Sequence, residues 1–165
     1  MASPVPERLQ RLRRLMRQHA VEALLLTSPA NRRYFSGFEA GDPQLNESSG
    51  ALVITARTQY LLTDSRYTEA ARTQAPLFQT VTCPREPARE FARLPALKNV
   101  RTLFLEPEFL SLAAWNKMKK AWPGRRLAAA PFQAETLRVQ KSPEEIANQL
   151  NIERRIIDNL IGEMS

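Results

Sequence analysis

The sequence predicts an α/β domain, with a mixed β-sheet of about five to six strands and helices packed on its faces. Three observations carry that expectation. Short apolar runs alternate with segments of helical periodicity. Two of the runs lie close enough to form a hairpin. The composition, 43% hydrophobic and 25% charged, supports a buried core and shows no bias toward disorder.

From the amino terminus, Val5, Leu9, Leu12, Leu15 and Met16 form an apolar stripe at helical spacing, which predicts a helix from about Pro4 to Ala20. The stretch is rich in Arg and imitates a mitochondrial transit peptide, but the stripe reads better as a packed first helix. Glu22 to Thr27 is a short apolar run of the kind that becomes a buried strand. Ser28 and Pro29 then read as an N-cap and a first helical position, and Gly37 stops that helix. Phe38 to Ser49 is a polar loop. Gly50 to Ala56 and Gln59 to Thr63 predict the hairpin, and Ser65 to Ala75 a helix ended by Pro76. A strand over Leu77 to Thr82, a helix over Glu86 to Leu94 and a strand over Val100 to Leu105 follow. Glu108 to Trp122 is the next helix, closed by Pro123 and Gly124, and Arg126 to Ala130 a weaker last strand.

The final segment differs in character. Ser142, Pro143, Glu144 and Glu145 make a strong helix start, with a capping box. Ile146, Leu150, Ile157, Leu160, Ile161 and Met164 follow along one side. Burying each large apolar side chain is worth roughly 1.5–3 kcal/mol, so this helix calls for a partner surface. The expectation is that the chain continues, or that the helix pairs with a second copy.

The formal charge of +7 invites a nucleic-acid reading. However, the cations are scattered, and no aromatic residues interleave with them as a single-strand binder requires. Arg8, Arg11, Arg14 and Arg17 fall beside or opposite the first helix's stripe. Lys117, Lys119, Lys120, Arg125 and Arg126 gather around a helix C-terminus, where the macrodipole favours them without any ligand. Nucleic acid is therefore not the expected partner. No apolar run reaches the roughly 20 residues of a membrane span. The single Cys83 cannot close an internal disulfide, which points to a cytoplasmic protein.

Catalytic chemistry is hard to find. A pair of His19 with Cys83 has no supporting motif, and no nucleophile elbow, phosphate loop or zinc motif occurs. Asp64 and Glu106 stand at strand ends, but two carboxylates without a His or a third acid make a poor metal site. That argues against a ribonuclease H-type nuclease, even for a sheet with a ribonuclease H-like motif. Helix capping by Asp64 or Ser65 is the plainer reading.

Five segments, in order, resemble the amino-terminal domain of the creatinase, prolidase and aminopeptidase P family. The opening helix leads into an apolar strand and then Pro29, Asn31, Tyr34 and Gly37. The hairpin ends in Thr63, Asp64, Arg66 and Tyr67. A later strand ends in Glu106. Leu137 and Arg138 are followed by Lys141, Ser142, Pro143, Glu144, Glu145 and Ile146, and then by a long helix.

The resemblance implies a domain over residues 1–137, with 138–165 forming a linker and the first helix of a truncated "pita-bread" catalytic domain. It implies a parent that is a proline-specific metallopeptidase acting on proline-containing peptides. Two divalent metal ions (manganese, cobalt or zinc) would be bound beyond residue 165, so this chain alone would have no catalytic or metal-binding residues. It further implies a homodimer in which this domain borders the neighbouring active site. On that basis Phe38, Glu39, Asp42, Arg66 and Tyr67 are candidates for a substrate rim. Asn31, Tyr34, Gly37, Asp64, Glu106, Arg138 and Lys141 are motif residues with structural roles. The adjacent Arg32 and Arg33 are unusual against some members of the family, and they either favour an acidic partner or carry no meaning. An alternative is a parent of the same architecture without catalysis, serving as a protein- or histone-binding module.

Overall fold

The computed structural model describes residues 3–40, 50–83, 90–139, 146 and 150–157. The chain divides into two compact units, residues 1–134 and 135–165.

In the first unit, α1 (Val5–Gln18) buries Val5, Leu9, Leu12 and Met16. It ends short of the predicted Ala20, which takes a left-handed conformation with φ of 53°. Strand β1 (Ala23–Leu26) is buried on both faces, which explains its unbroken apolar sequence. Helix α2 (Pro29–Ser36) starts as the sequence predicts, with the Ser28 hydroxyl accepting from the Asn31 N–H, and Gly37 at φ 79° ends it. Strands β2 (Gly50–Thr55) and β3 (Gln59–Thr63) form the predicted hairpin.

Helix α3 (Thr68–Gln74) begins three residues later than expected. Its predecessor is a turn in which the Asp64 carboxylate accepts the Arg66 N–H at 2.8 Å, because a short acidic side chain competes for backbone donors at such a position. Strand β4 (Gln79–Thr82) leaves the predicted Leu77 outside it and exposed. Of the helix expected over Glu86 to Leu94, residues 84–89 lie outside the described residues. Glu90 and Phe91 are helical, and a 3-10 turn, Pro95–Leu97, follows.

Strand β5 (Thr102–Leu105) leads to α4 (Leu112–Ala121). That helix starts four residues late because the Ser111 hydroxyl captures the Ala114 N–H at 3.1 Å and fixes the N-cap there. Strand β6 (Arg126–Ala129) completes the sheet.

The order is β4-β3-β2-β1-β5-β6. The β3–β2 and β2–β1 pairs are antiparallel; β4–β3, β1–β5 and β5–β6 are parallel. The mixed six-stranded sheet agrees with the sequence expectation. Ala23, Leu25, Val53, Leu62, Leu103 and Leu105 pack on one face with Phe91, Met118 and Trp122. Leu24, Leu26, Leu52, Ile54 and Leu61, which alternate with them, are equally buried, so both faces are covered. Among the described residues no helix is long and apolar enough to cross a membrane.

In the second unit, α5 (Thr136–Val139) is a single turn that the sequence reading did not foresee. Residues 150–157 are helical. Ile146, Leu150 and Ile157 are exposed, and so are Ile152 and Ile156. The apolar surface therefore extends beyond the one side expected. Leu160, Ile161 and Met164 lie outside the described residues.

Candidate functional site

The parallel strands β1, β3, β4 and β5 end on the same side of the sheet, and most of the motif residues gather there. At its centre Glu106, buried at 5% exposure, follows the last residue of β5. One of its oxygens accepts from the backbone N–H of Thr27 at 2.6 Å and of Ser28 at 2.9 Å. The other accepts from the Asn31 side-chain amide. The carboxylate thus sits at the N-terminus of α2, where free N–H groups and the helix dipole favour a negative charge. It ties β1 and α2 to β5. Asn31 is fully buried and holds this turn from within.

Beyond that turn α2 separates its two arginines. Arg32 is buried, with Nη1 donating to the Gly50 carbonyl at 3.3 Å and the guanidinium 5.4 Å from the Phe38 ring. Arg33 is exposed and pairs with Glu39 at 2.5 Å. The signal for this difference is present in the sequence: Arg32 stands three and four residues before Phe35 and Ser36, both buried. An open cleft of about 300 Å³, lined by Pro29, Arg32, Arg33, Phe38 and Glu39, lies beside the helix. The Phe38 side chain itself is wholly buried, so it supports this cleft from beneath. Glu39 is exposed, and its N–H donates to Gln74 Oε1 at 2.7 Å. Asp42 lies outside the described residues.

At the end of β3, Arg66 clasps Asp64 with Nη2 2.8 Å from Oδ2 and Nε 3.2 Å from Oδ1. This fork is the main reason the Asp64 carboxyl is held below its usual range. The Arg66 guanidinium lies 5.4 Å from the Tyr67 ring, which meets Phe38 edge-on at 6.5 Å. Phe38 and Tyr67 therefore connect the two halves of this end of the sheet.

The sequence matches the Creatinase/Prolidase N-terminal domain family over residues 8–140. The chain belongs to this family. Its fold superposes on an Xaa-Pro aminopeptidase from Streptococcus pyogenes with a TM-score of 0.72 at 28% identity, covering 83% of this chain and 99% of that one. An Xaa-Pro dipeptidase from Bacillus anthracis gives 0.73 at 25% identity, over 87% of this chain and 38% of the other. The N-terminal domain of the cytoplasmic peptidase PepQ from Mycobacterium tuberculosis H37Rv gives 0.68 at 27% identity, over 79% and 98%. Among curated proteins, the uncharacterized peptidase YqhT of Bacillus subtilis (strain 168) is 27% identical over 139 residues. That alignment covers 84% of this chain but only 37% of the relative's length.

Of the other motif residues of this creatinase/prolidase-type domain, Tyr34 and Gly37 lie in and just after α2. Tyr34 meets Phe35 edge-on, and Arg8 lies 4.1 Å from the Tyr34 ring while donating to the Tyr34 carbonyl at 2.8 Å. Gly37 needs its positive φ, and a Cβ there would meet the Gln74 carbonyl oxygen at 3.2 Å. Arg138 falls in α5 of the second unit, half-buried, and Lys141 lies outside the described residues.

The reactive groups weighed from sequence are not brought together for chemistry. Cys83 is buried, and desolvation, with Glu90 and Asp64 nearby, pushes its thiol up to about 11, so it stays protonated. His19 lies against Phe132 instead, with ring centroids 5.4 Å apart. Asp64 and Glu106 are each engaged by donors of their own chain. Among the described residues no three of His, Cys, Asp and Glu converge, and these side chains do not fit a divalent ion.

Proposed function

We propose that this chain is the non-catalytic amino-terminal domain of an Xaa-Pro metallopeptidase, and that it contributes to dimerisation and to the rim of an active site. The observation that carries the reading is the family match over residues 8–140, joined to a sheet end whose carboxylates are already occupied by their own chain. The relatives named above are described as peptidases, which favours this reading over a binding module without catalysis. Residues 1–137 form the domain, and 138–165 link it to, and begin, the catalytic part. The exposed isoleucines of the last helix support that division, since such a surface is stabilised by cover from further chain. Two divalent metal ions would be held outside this chain, and the parent would act on proline-containing peptides in the cytoplasm as a homodimer.

Glu39, Asp42, Arg66 and Tyr67 are the rim side chains in this reading, with Phe38 holding Tyr67 in place. Arg66 keeps its guanidinium at the surface while Asp64 fixes its direction, and it offers a charge to a peptide carboxylate.

Two measurements test the proposal. The chain alone should leave Xaa-Pro dipeptides intact in the presence of manganese; turnover would sink it. In the full parent, Arg66→Ala and Glu39→Ala should change the ratio of kcat/KM between Xaa-Pro dipeptides and longer peptides. An unchanged ratio removes the rim role and leaves the domain assignment standing.

A further inference from the structure

The opposite end of the sheet carries a concentration of charge that the linear sequence conceals. The registers set Ala23 level with Leu103 and Leu127 on one side and with Thr55 on the other, so Thr102 and Arg126, a pair one residue earlier, and Gln59 of the hairpin lie at this same end. Arg101, Arg126 and Arg57, in the hairpin turn, therefore share this end. The Arg125 guanidinium donates to the carbonyls of Leu97 and Lys98, each at 2.9 Å, and brings Lys98 alongside. Helix α4 runs back to the same end and delivers Lys119 and Lys120 in its last turn.

The side chains of Arg57, Lys98, Arg101, Lys119, Lys120 and Arg126 are all on exposed residues. None of them makes a hydrogen bond or ion pair among the described residues. Glu22 is the only described carboxylate at these strand ends, and it accepts the Arg101 backbone N–H at 3.2 Å.

Neighbouring strands lie about 4.8 Å apart, so β2 to β6 span roughly 14 Å, comparable to the Debye length of about 10 Å at 0.1 M salt. The fields of these cations overlap, and their mutual repulsion works against the compact state. Lys119 and Lys120 are favoured by the α4 C-terminus, whereas Arg57, Lys98, Arg101 and Arg126 lie outside the α-helices.

We propose that this basic sheet end docks an acidic polypeptide segment, rich in Asp and Glu, supplied by another protein. The surroundings favour a polypeptide over nucleic acid. Trp122 is buried, with Arg125 lying 4.5 Å from its ring, and Tyr60 is buried as well, so neither offers a base a stacking platform. Helices α1 and α4 turn their C-termini here, and among the described residues no α-helix brings its N-terminal N–H groups to this end to cradle phosphates. A second copy of the chain is a poor occupant, because a two-fold dimer through this end would set like charges face to face.

The test is fluorescence anisotropy with a labelled poly-glutamate peptide and, in parallel, a duplex oligonucleotide of equal charge. The peptide should bind the chain at low salt and weaken as salt rises. Arg101→Glu with Arg126→Glu should cost roughly tenfold or more in affinity, with the circular dichroism melt preserved. Arg154→Glu with Arg155→Glu, an equal charge change in the second unit, should cost little. If the first pair fails to fold, Arg57→Glu with Lys98→Glu probes the same end. Equal losses from both kinds of variant, absence of peptide binding, or tighter binding of the duplex would each overturn the proposal.

Discussion

Asp64 and Glu106 end two strands at the same side of one sheet, yet their surroundings differ in kind. Glu106 is buried and accepts from two backbone N–H groups and a side-chain amide, each contributed by β1, α2 or the turn between them. Asp64 has a third of its side chain exposed and is clasped by an arginine two residues away, itself 68% exposed. Both carboxylates satisfy their acceptors, but only Glu106 joins segments distant in sequence. The difference teaches that position at a strand end does not define a role; what the donors belong to, and how much water remains, does.

The largest effect that would sharpen this contrast is expected from Glu106→Ala. It leaves the donors of Thr27, Ser28 and Asn31 without their acceptor and should cost about 3–4 kcal/mol in urea unfolding. Glu106→Gln should recover only part, because an amide has one acceptor oxygen. A loss below about 1 kcal/mol would show that water replaces the carboxylate and that the buried anchor has been overvalued.

Next in size is a pH effect near Asp64. The Cys83 thiol is pushed from 9.0 to about 11, so the folded state keeps a proton that the unfolded chain releases. Its contribution is complete below pH 9 and is lost as pH rises toward 11, by roughly 2–3 kcal/mol. Subtracting the unfolding free energy of Cys83→Ala from that of the wild type across this range isolates the slope. A flat difference would place the thiol in contact with water.

Gly50 pairs with Thr63 at the Asp64 end of the sheet, and a Cβ there would meet the Leu62 carbonyl oxygen at 2.9 Å. Gly50→Ala should cost about 1–2 kcal/mol in thermal or urea unfolding, since backbone has to yield.

Smallest is Asp64→Asn. Its carboxyl is depressed by Arg66, so its stabilisation is present at neutral pH and disappears as pH falls below the usual carboxylate range. Being a largely exposed pair, it should change stability by less than about 1 kcal/mol. A loss matching that of Glu106→Ala would erase the distinction between the two sites.

Much of this fold is legible in the sequence because its signals are local. Ser28-Pro29 and Gly37 mark the ends of α2, and the run Ala23 to Leu26 reads as a strand covered on both faces. The errors are local as well. Asp64 captures the Arg66 N–H and delays α3, and Ser111 captures the Ala114 N–H and delays α4. Of the candidate site, Asp64, Arg66 and Glu106 were findable by position. The burial of Phe38 depended on its packing near Arg32 and Tyr67, whereas the separation of Arg32 from Arg33 carried a signal in the spacing of Arg32 to Phe35 and Ser36.

Periodicity, caps and the order of motifs were thus sufficient to determine the α/β class, most element positions and the family resemblance, because each depends on residues a few positions apart. Only the tertiary structure decided that Glu106 anchors α2, that Cys83 keeps its proton, and that cations scattered from Arg57 to Arg126 converge at one end of the sheet. Those properties depend on strand pairing between distant segments, and on how much water their packing leaves, which no short stretch of sequence encodes.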